Sequence, residues 1–312
     1  MAFSGLQILL YHLWINLFPG NQIEMFLRAG AFVGVDIFFF LSGFSLGGRE
    51  TGNYWTFVKS RFTSVYLKFI LFAVAALIYS KWKFTRLIEV IFAVEFFKKG
   101  GGSFLWFLPA IMICYLLFPL YRKADNKRPR LTITIALIVW ATVGILITYL
   151  TSYKAIFIFW MRLPVFLSGY YAAKHKLWDR CLSKNAVRIL AGIVLIIIGG
   201  VLFYLTGFKT RLAVPMVDMF YVLGIPSALG LIMLVSYIPE VRIIQWIGKS
   251  TLEMYGVQMV FGYKLTNFIF TKTQSKVLTN IISTISVVVI AVLLQFAYNY
   301  IRKQLNRCIT KQ

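Results

Sequence analysis

Four polar side chains stand in stretches of sequence that are otherwise apolar, and their types can do chemistry. His12 lies in the first such run, residues 1–18. Imidazole changes charge near neutrality without help from its surroundings, so His12 is a candidate general base; the structural reading is a hydrogen-bonded histidine inside a bundle. Asp36 is the single carboxylate of the run Gly30–Phe44. A carboxylate beside an imidazole fixes its tautomer and stabilises the imidazolium, which makes Asp36 a natural partner for His12. An ion pair to Arg162 is the alternative, and the residues leave both open. Arg162 is the only charge in the run 155–173. A guanidinium there requires a partner or a bound anion. Glu253, the carboxylate of the run 243–263, is a site candidate on the same ground.

These residues need helices to place them. Gly5, Leu9, His12 and Asn16 fall on one stripe at helical spacing, so His12 is expected to face the interior of a bundle. Gly34, Ser42 and Gly43 flank Asp36 on its own run. Small residues let helices approach closely, so that helix belongs inside the bundle and not on its lipid rim.

Composition sets the solvent. Of 312 residues 60% are hydrophobic and 14% charged, and the mean hydropathy is +0.78. A soluble domain needs more polar surface than that. The apolar runs have bilayer-spanning length. The expected fold is all-α, a polytopic transmembrane bundle of about ten helices, with spans near 1–18, 31–47, 62–80, 103–121, 131–150, 155–173, 187–206, 216–237, 243–263 and 277–301. Residues 86–97 mix apolar and charged side chains and read as a short interfacial helix, which Gly100 to Gly102 then break. Residues 1–301 form a single transmembrane domain in this reading, and 302–312 a cytoplasmic tail.

The formal net charge is +23, but the basic residues are scattered over short loops and form no basic domain, which argues against nucleic acid as a partner. Their bias between alternate loops places both termini in the cytoplasm, facing anionic membrane lipid. Cys114, Cys181 and Cys308 have no motif spacing, so neither a disulfide framework nor a metal site is expected. His175, between Lys174 and Lys176, reads as a solvated loop residue.

The run Val33-Gly34-Val35-Asp36-Ile37-Phe38-Phe39-Phe40-Leu41-Ser42-Gly43-Phe44 resembles the signature of the membrane acyltransferase type 3 family. Four further stretches resemble its motifs in order. They are Arg61-Phe62-Thr63-Ser64-Val65-Tyr66, Leu105-Trp106-Phe107-Leu108, Arg162-Leu163-Pro164-Val165-Phe166 and Ile247-Gly248-Lys249-Ser250 through Tyr255. Four positions within these motifs differ: Ser64 stands where a second Arg is usual, Leu67 where a Pro is usual, Phe104 where a His is usual, and Gln258 where a closing His is usual.

The resemblance implies an integral-membrane O-acyltransferase of a bacterial cytoplasmic membrane. It implies that a first-helix histidine, here His12, is essential for transfer, oriented by Asp36. It implies an acyl-CoA donor, in particular acetyl-CoA, gripped near Arg61, with no tightly bound cofactor. Trp106, Arg162 and Glu253 would shape the path of a hydroxyl acceptor, a cell-surface polysaccharide or related glycan carrier. A transporter or lipid flippase is the competing class, because buried charges and Pro109, Pro164 and Pro215 in the spans suit translocation as well. An acyltransferase-like chain without activity is the third reading.

Overall fold

A computed structural model describes residues 1–48, 52–149, 155–177, 185–205, 224–239 and 241–309, and the regular elements among them are all helical. Cys181, Pro215 and the first part of the expected span 216–237 lie outside the described residues.

Along the chain, α1 (Ala2–Leu13) ends where Trp14 turns extended, with φ −69° and ψ 133°. α2 (Gln22–Gly30) leads into α3 (Val33–Gly47). Asn53 caps α4 (Tyr54–Arg61) by accepting the Trp55 N–H at 2.9 Å. A π-helical turn over Phe62–Tyr66 joins α4 to α5 (Leu67–Tyr79). α6 (Phe84–Ile91) and α7 (Val94–Lys99) follow, bent at Ala93, whose φ is 60°. Next come α8 (Phe107–Lys127), α9 (Pro129–Tyr149), α10 (Phe157–Trp160), α11 (Leu163–Lys174), α12 (Asn185–Phe203) and α13 (Ile225–Val235). α14 (Arg242–Lys249), α15 (Thr251–Val257), a second π-helical turn over Gln258–Gly262, α16 (Tyr263–Thr273) and α17 (Lys276–Ile309) complete the chain.

The expectation of an all-α polytopic bundle holds. Among the described residues six stretches are long and apolar enough to cross a membrane: Gln22–Gly47, Tyr54–Tyr79, Phe107–Lys127, Pro129–Ile147, Ala186–Phe203 and Lys276–Gln304. Three expected spans are interrupted. The first stops at Leu13. The run 155–173 breaks between α10 and α11, where Pro164 sits in the first turn of the second piece. Proline lacks the N–H and its ring clashes with a preceding helical turn, so it starts helices well and continues them badly. The run 243–263 breaks at Ser250, whose hydroxyl donates back to the Trp246 carbonyl at 2.9 Å. In a bilayer such breaks survive only where protein or water satisfies the freed backbone. At the end of the chain α17 runs without a break past residue 301 to Ile309.

The chain forms two compact units, Met1–Gly34 with Pro239–Gln312, and Val35–Ile238. In the first, α1 packs through small residues: a Cβ on Gly5 would lie 3.0 Å from Thr251 Cγ2, and one on Gly34 would lie 2.8 Å from the Ser4 carbonyl. In the second, Phe39, Phe40, Phe118, Val165, Phe166 and Tyr170 make the centre of a core built largely of aromatic rings. There α3 and α11 cross with glycine on both sides. A Cβ on Gly43 would fall 1.9 Å from the Phe166 carbonyl oxygen, and one on Gly169 would fall 2.0 Å from that of Phe40. Close packing between backbones does here what the hydrophobic effect cannot do inside lipid.

This crossing predicts the outcome of adding a single methyl group. Gly43→Ala and Gly169→Ala should each destabilise the protein by about 1–3 kcal/mol, the usual range for overpacking. Gly200→Ala, where nothing lies within 4 Å, should be neutral. Thermal melts in detergent micelles would show the contrast; equal melting of all three variants would mean the helices do not touch as described.

Candidate functional site

In the second unit the glycine crossing sets α3 beside the lead-in of α11, and that brings two charged side chains together. Arg162 Nε lies 2.9 Å from Asp36 Oδ1, and the two side chains are 1% and 0% exposed. The guanidinium is held from two further sides. Its Nη1 donates to the Ile158 carbonyl at 2.9 Å, and its Cζ stands 5.3 Å from the centre of the Trp106 ring. Three of the residues singled out in the sequence thus form one cluster. Of the two partners the sequence left open for Asp36, the carboxylate takes Arg162.

Trp106 is placed by an unusual turn. Leu105 before it is fully buried with φ 48°, a conformation that costs a non-glycine residue of order 1 kcal/mol or more and persists only when its surroundings impose it. Glu95, 1% exposed, supplies part of that constraint. Its carboxylate accepts from the Phe104 N–H at 3.4 Å and from Lys99 Nζ at 2.8 Å, and pairs with Arg86 at 3.2 Å. Gly100 closes the turn at φ +54°, where a Cβ would collide with the Ala155 carbonyl at 1.7 Å. Sequence reading took Glu95 for one charge of an interfacial helix. Glu89 lies between Ile88 and Val90 just as Glu95 lies between Val94 and Phe96, so the immediate neighbours do not separate the two.

Arg61 closes α4. Its Cζ stands 5.2 Å from the Phe57 ring centre and 5.0 Å from that of Tyr115, and its Nε is buried with no hydrogen-bond partner. Tyr115 packs in the same core as Phe39 and Phe40 of α3, the helix that carries Asp36. Arg61 and the Asp36–Arg162 pair are therefore braced against the same helix. The π-helical turn that begins at Phe62 is a local departure of the kind often found at functional sites. Ser64, in the place of the usual second Arg, spends its hydroxyl on the Arg61 carbonyl at 3.3 Å.

His12 belongs to the first unit. It lies in the last turn of α1 and its side chain is exposed, in edge contact with the Tyr11 ring at 4.9 Å. Gly5 and Leu9 on the expected stripe are buried as foreseen. The helix stops one residue after His12, so Asn16 is not on the stripe at all. Its side chain instead accepts a hydrogen bond from Arg28, whose Nε also donates to the Tyr11 carbonyl at 3.3 Å.

Side chains satisfy the backbone of the non-helical segment Trp14–Phe18 at Ile15, Leu17 and Phe18. Asn280 exchanges two bonds with Ile15, at 2.8 and 2.9 Å, and Trp14 donates to Thr284 at 3.0 Å. Glu24 accepts the N–H groups of Leu17 and Phe18 at 2.6 and 2.7 Å. Arg28, Glu24 and Asn280 went unnoticed in the sequence because the partners they serve exist only once the first helix has ended. Glu253 is buried on α15, and Gln258, also buried, opens the second π-helical turn. Among the described residues no three His, Cys, Asp or Glu side chains gather as a metal site.

A family model described as an acyltransferase domain, type 3, matches residues 2–298. The match takes in both units and every residue placed above. No curated protein and no solved structure matches the chain.

The buried pair predicts a pattern across three variants. Asp36→Leu or Arg162→Met alone strands a charge and should cost about 3–5 kcal/mol; the double variant D36L/R162M should recover most of that stability in thermal melts. Acyl transfer should not recover with it. Single variants that melt like the wild type would mean that the pair is not formed.

Proposed function

The chain belongs to the type 3 acyltransferase family, and from that premise we propose that it carries an acetyl group from acetyl-CoA to a hydroxyl of a cell-surface polysaccharide or related glycan carrier. The protein is a multi-pass membrane acyltransferase. The donor, the acceptor, the orientation and the residue roles are what is proposed. The observation that carries the reading is the family match over residues 2–298, nearly the whole chain.

Transfer exchanges one acyl bond for another. The acceptor oxygen attacks the thioester carbonyl carbon, a carbon–oxygen bond forms, the carbon–sulfur bond breaks, and the hydroxyl proton ends on the departing thiolate. A group that takes and returns that proton near neutral pH is needed, and His12 is assigned this role as general base. Its exposure supports the assignment, because a base must be reachable by the hydroxyl it deprotonates.

Arg61 is assigned to the donor. A guanidinium suits phosphate oxygens, and its buried Nε–H has a hydrogen-bonding capacity no protein atom uses. Asp36 is assigned to hold Arg162 in place, Arg162 and Trp106 are assigned to the acceptor's path, and Glu253 is assigned to substrate binding. No tightly bound cofactor is invoked. Both termini are placed in the cytoplasm of a bacterial cell, which puts the basic loops on the side where acetyl-CoA is made.

Membrane vesicles given acetyl-CoA labelled in the acetyl group test the reading. Label should appear in envelope glycan with the wild type and fall by about 100-fold or more with His12→Ala, the usual weight of a general base. The variant should melt like the wild type, since the side chain is exposed. Undiminished labelling by H12A would remove His12 from the mechanism. Wild-type vesicles that label no glycan would overturn the choice of donor and acceptor.

A further inference from the structure

One cavity in the second unit is not accounted for by the residues above. It has a volume of about 590 Å³ and lies where the start of α4 meets the far end of α8. That is the size of a small-molecule site. Gly52, Tyr54, Pro119, Arg122, Lys123 and Asn126 line it. We propose that this cavity binds the phosphorylated nucleotide end of the acyl donor, with Arg122 and Lys123 as its phosphate contacts. The inference rests on the acetyl-CoA reading given above and names the residues that would recognise that donor.

The chemistry of the walls fits a phosphate ester attached to a flat, partly polar base. Arg122 offers a planar fork of donors and Lys123 a mobile point charge, the two usual ways of holding phosphate. Arg122 is fixed at the rim, because its Nη1 donates to the Leu46 carbonyl at 3.3 Å. The Tyr54 ring is likewise fixed, its hydroxyl bonded to the Leu116 carbonyl at 3.3 Å and its edge against Trp55 at 5.2 Å. It is thus a ready surface for a base to pack on. Asn126 adds an amide with both donor and acceptor.

The neighbouring acid does not cancel these charges. Asp125 is turned into the core, where its carboxylate accepts from Tyr170 at 2.7 Å, from Tyr171 at 2.6 Å and from Lys174. A carboxylate so fully engaged leaves the cavity with a net positive lining. Position completes the argument. Tyr54 is seven residues before Arg61 on the same helix, about 10 Å of rise. Arg61 in turn rests on Tyr115, one turn of α8 before Pro119. A ligand anchored by its phosphates at Arg122 and Lys123 would extend along the α4–α8 seam past the Arg61 guanidinium, the direction in which a long thioester arm has to run.

An anionic lipid headgroup carries the same phosphate chemistry, so the test separates the two sources. Full-length protein in detergent micelles is titrated with coenzyme A, with its analogue lacking the 3′-phosphate, and with vesicles rich in phosphatidylglycerol. The double variant R122Q/K123Q should weaken coenzyme A binding about tenfold or more and raise the KM for acetyl-CoA by a similar factor. The analogue should bind the wild type less tightly than coenzyme A does, and the double variant should no longer tell the two apart. Leu120→Trp, at an exposed position on the cavity wall, should produce the same loss by filling the space, and guards against a double variant that fails to fold.

Coenzyme A affinity and KM unchanged in both variants would overturn the cavity assignment while leaving the acetyl-CoA reading intact. Vesicle binding lost with coenzyme A binding retained would also overturn it, in favour of a lipid site. Coenzyme A binding that depends on Arg122 and Lys123, in a protein that transfers nothing from acetyl-CoA, would uphold the cavity and sink the functional reading.

Discussion

The second unit is organised by the cost of keeping an aspartate and an arginine away from water. A single buried ion in such surroundings costs several kcal/mol, and mutual attraction offsets this only when the geometry is good. At 2.9 Å, with a carbonyl on one side of the guanidinium and an aromatic ring over it, the geometry between Asp36 and Arg162 is good. That requirement reaches outward. The two side chains meet because α3 and α11 approach until backbone touches backbone, and they can do so only because glycine stands at 43 and 169. The break before α11 frees the turn that carries Arg162. The glutamate-braced turn ahead of α8 then delivers the ring above it.

Charged clusters in this chain therefore do their holding away from the middle of long helices. Glu95 ties α7 to the turn before α8. Asp125 gathers two tyrosines and a lysine from the end of α11. In the first unit Arg28, Glu24 and Asn280 do the same for the segment after α1. Each cluster sits where a helix ends and backbone groups lose their partners. The polar residues are few, and most have a turn or a crossing to maintain.

Much of this was visible in the sequence, and what was hidden shared a cause. Asp36 and Arg162 announced themselves as charges in apolar runs, which obliged each to find a partner; physics left few choices, and they chose each other. Trp106 and Arg61 were found through motif resemblance. The helix ends were not visible. Local periodicity continued past Leu13, but the chain stops being helical there because Trp14 and Ile15 bond to Thr284 and Asn280, some 270 residues away. No window of sequence contains that exchange. Glu95 was misread because amphipathic pattern describes a helix's own face and says nothing of a turn folding back onto it. The stripe that carries His12 loses its last expected member, because Asn16 lies beyond the end of α1.

The last helix is longer than the hydrocarbon it can occupy. Thirty-four residues rise about 51 Å, against a core of about 30 Å. Such a rod must lean or stand proud of the headgroups, and its lean depends on how thick the surrounding lipid is. Asn280 and Thr284, in its first turns, grip the stretch that follows the histidine-bearing helix. A thinner or thicker bilayer would reset the rod and draw that stretch along with it, so the posture of the imidazole is tied to the girth of the host membrane.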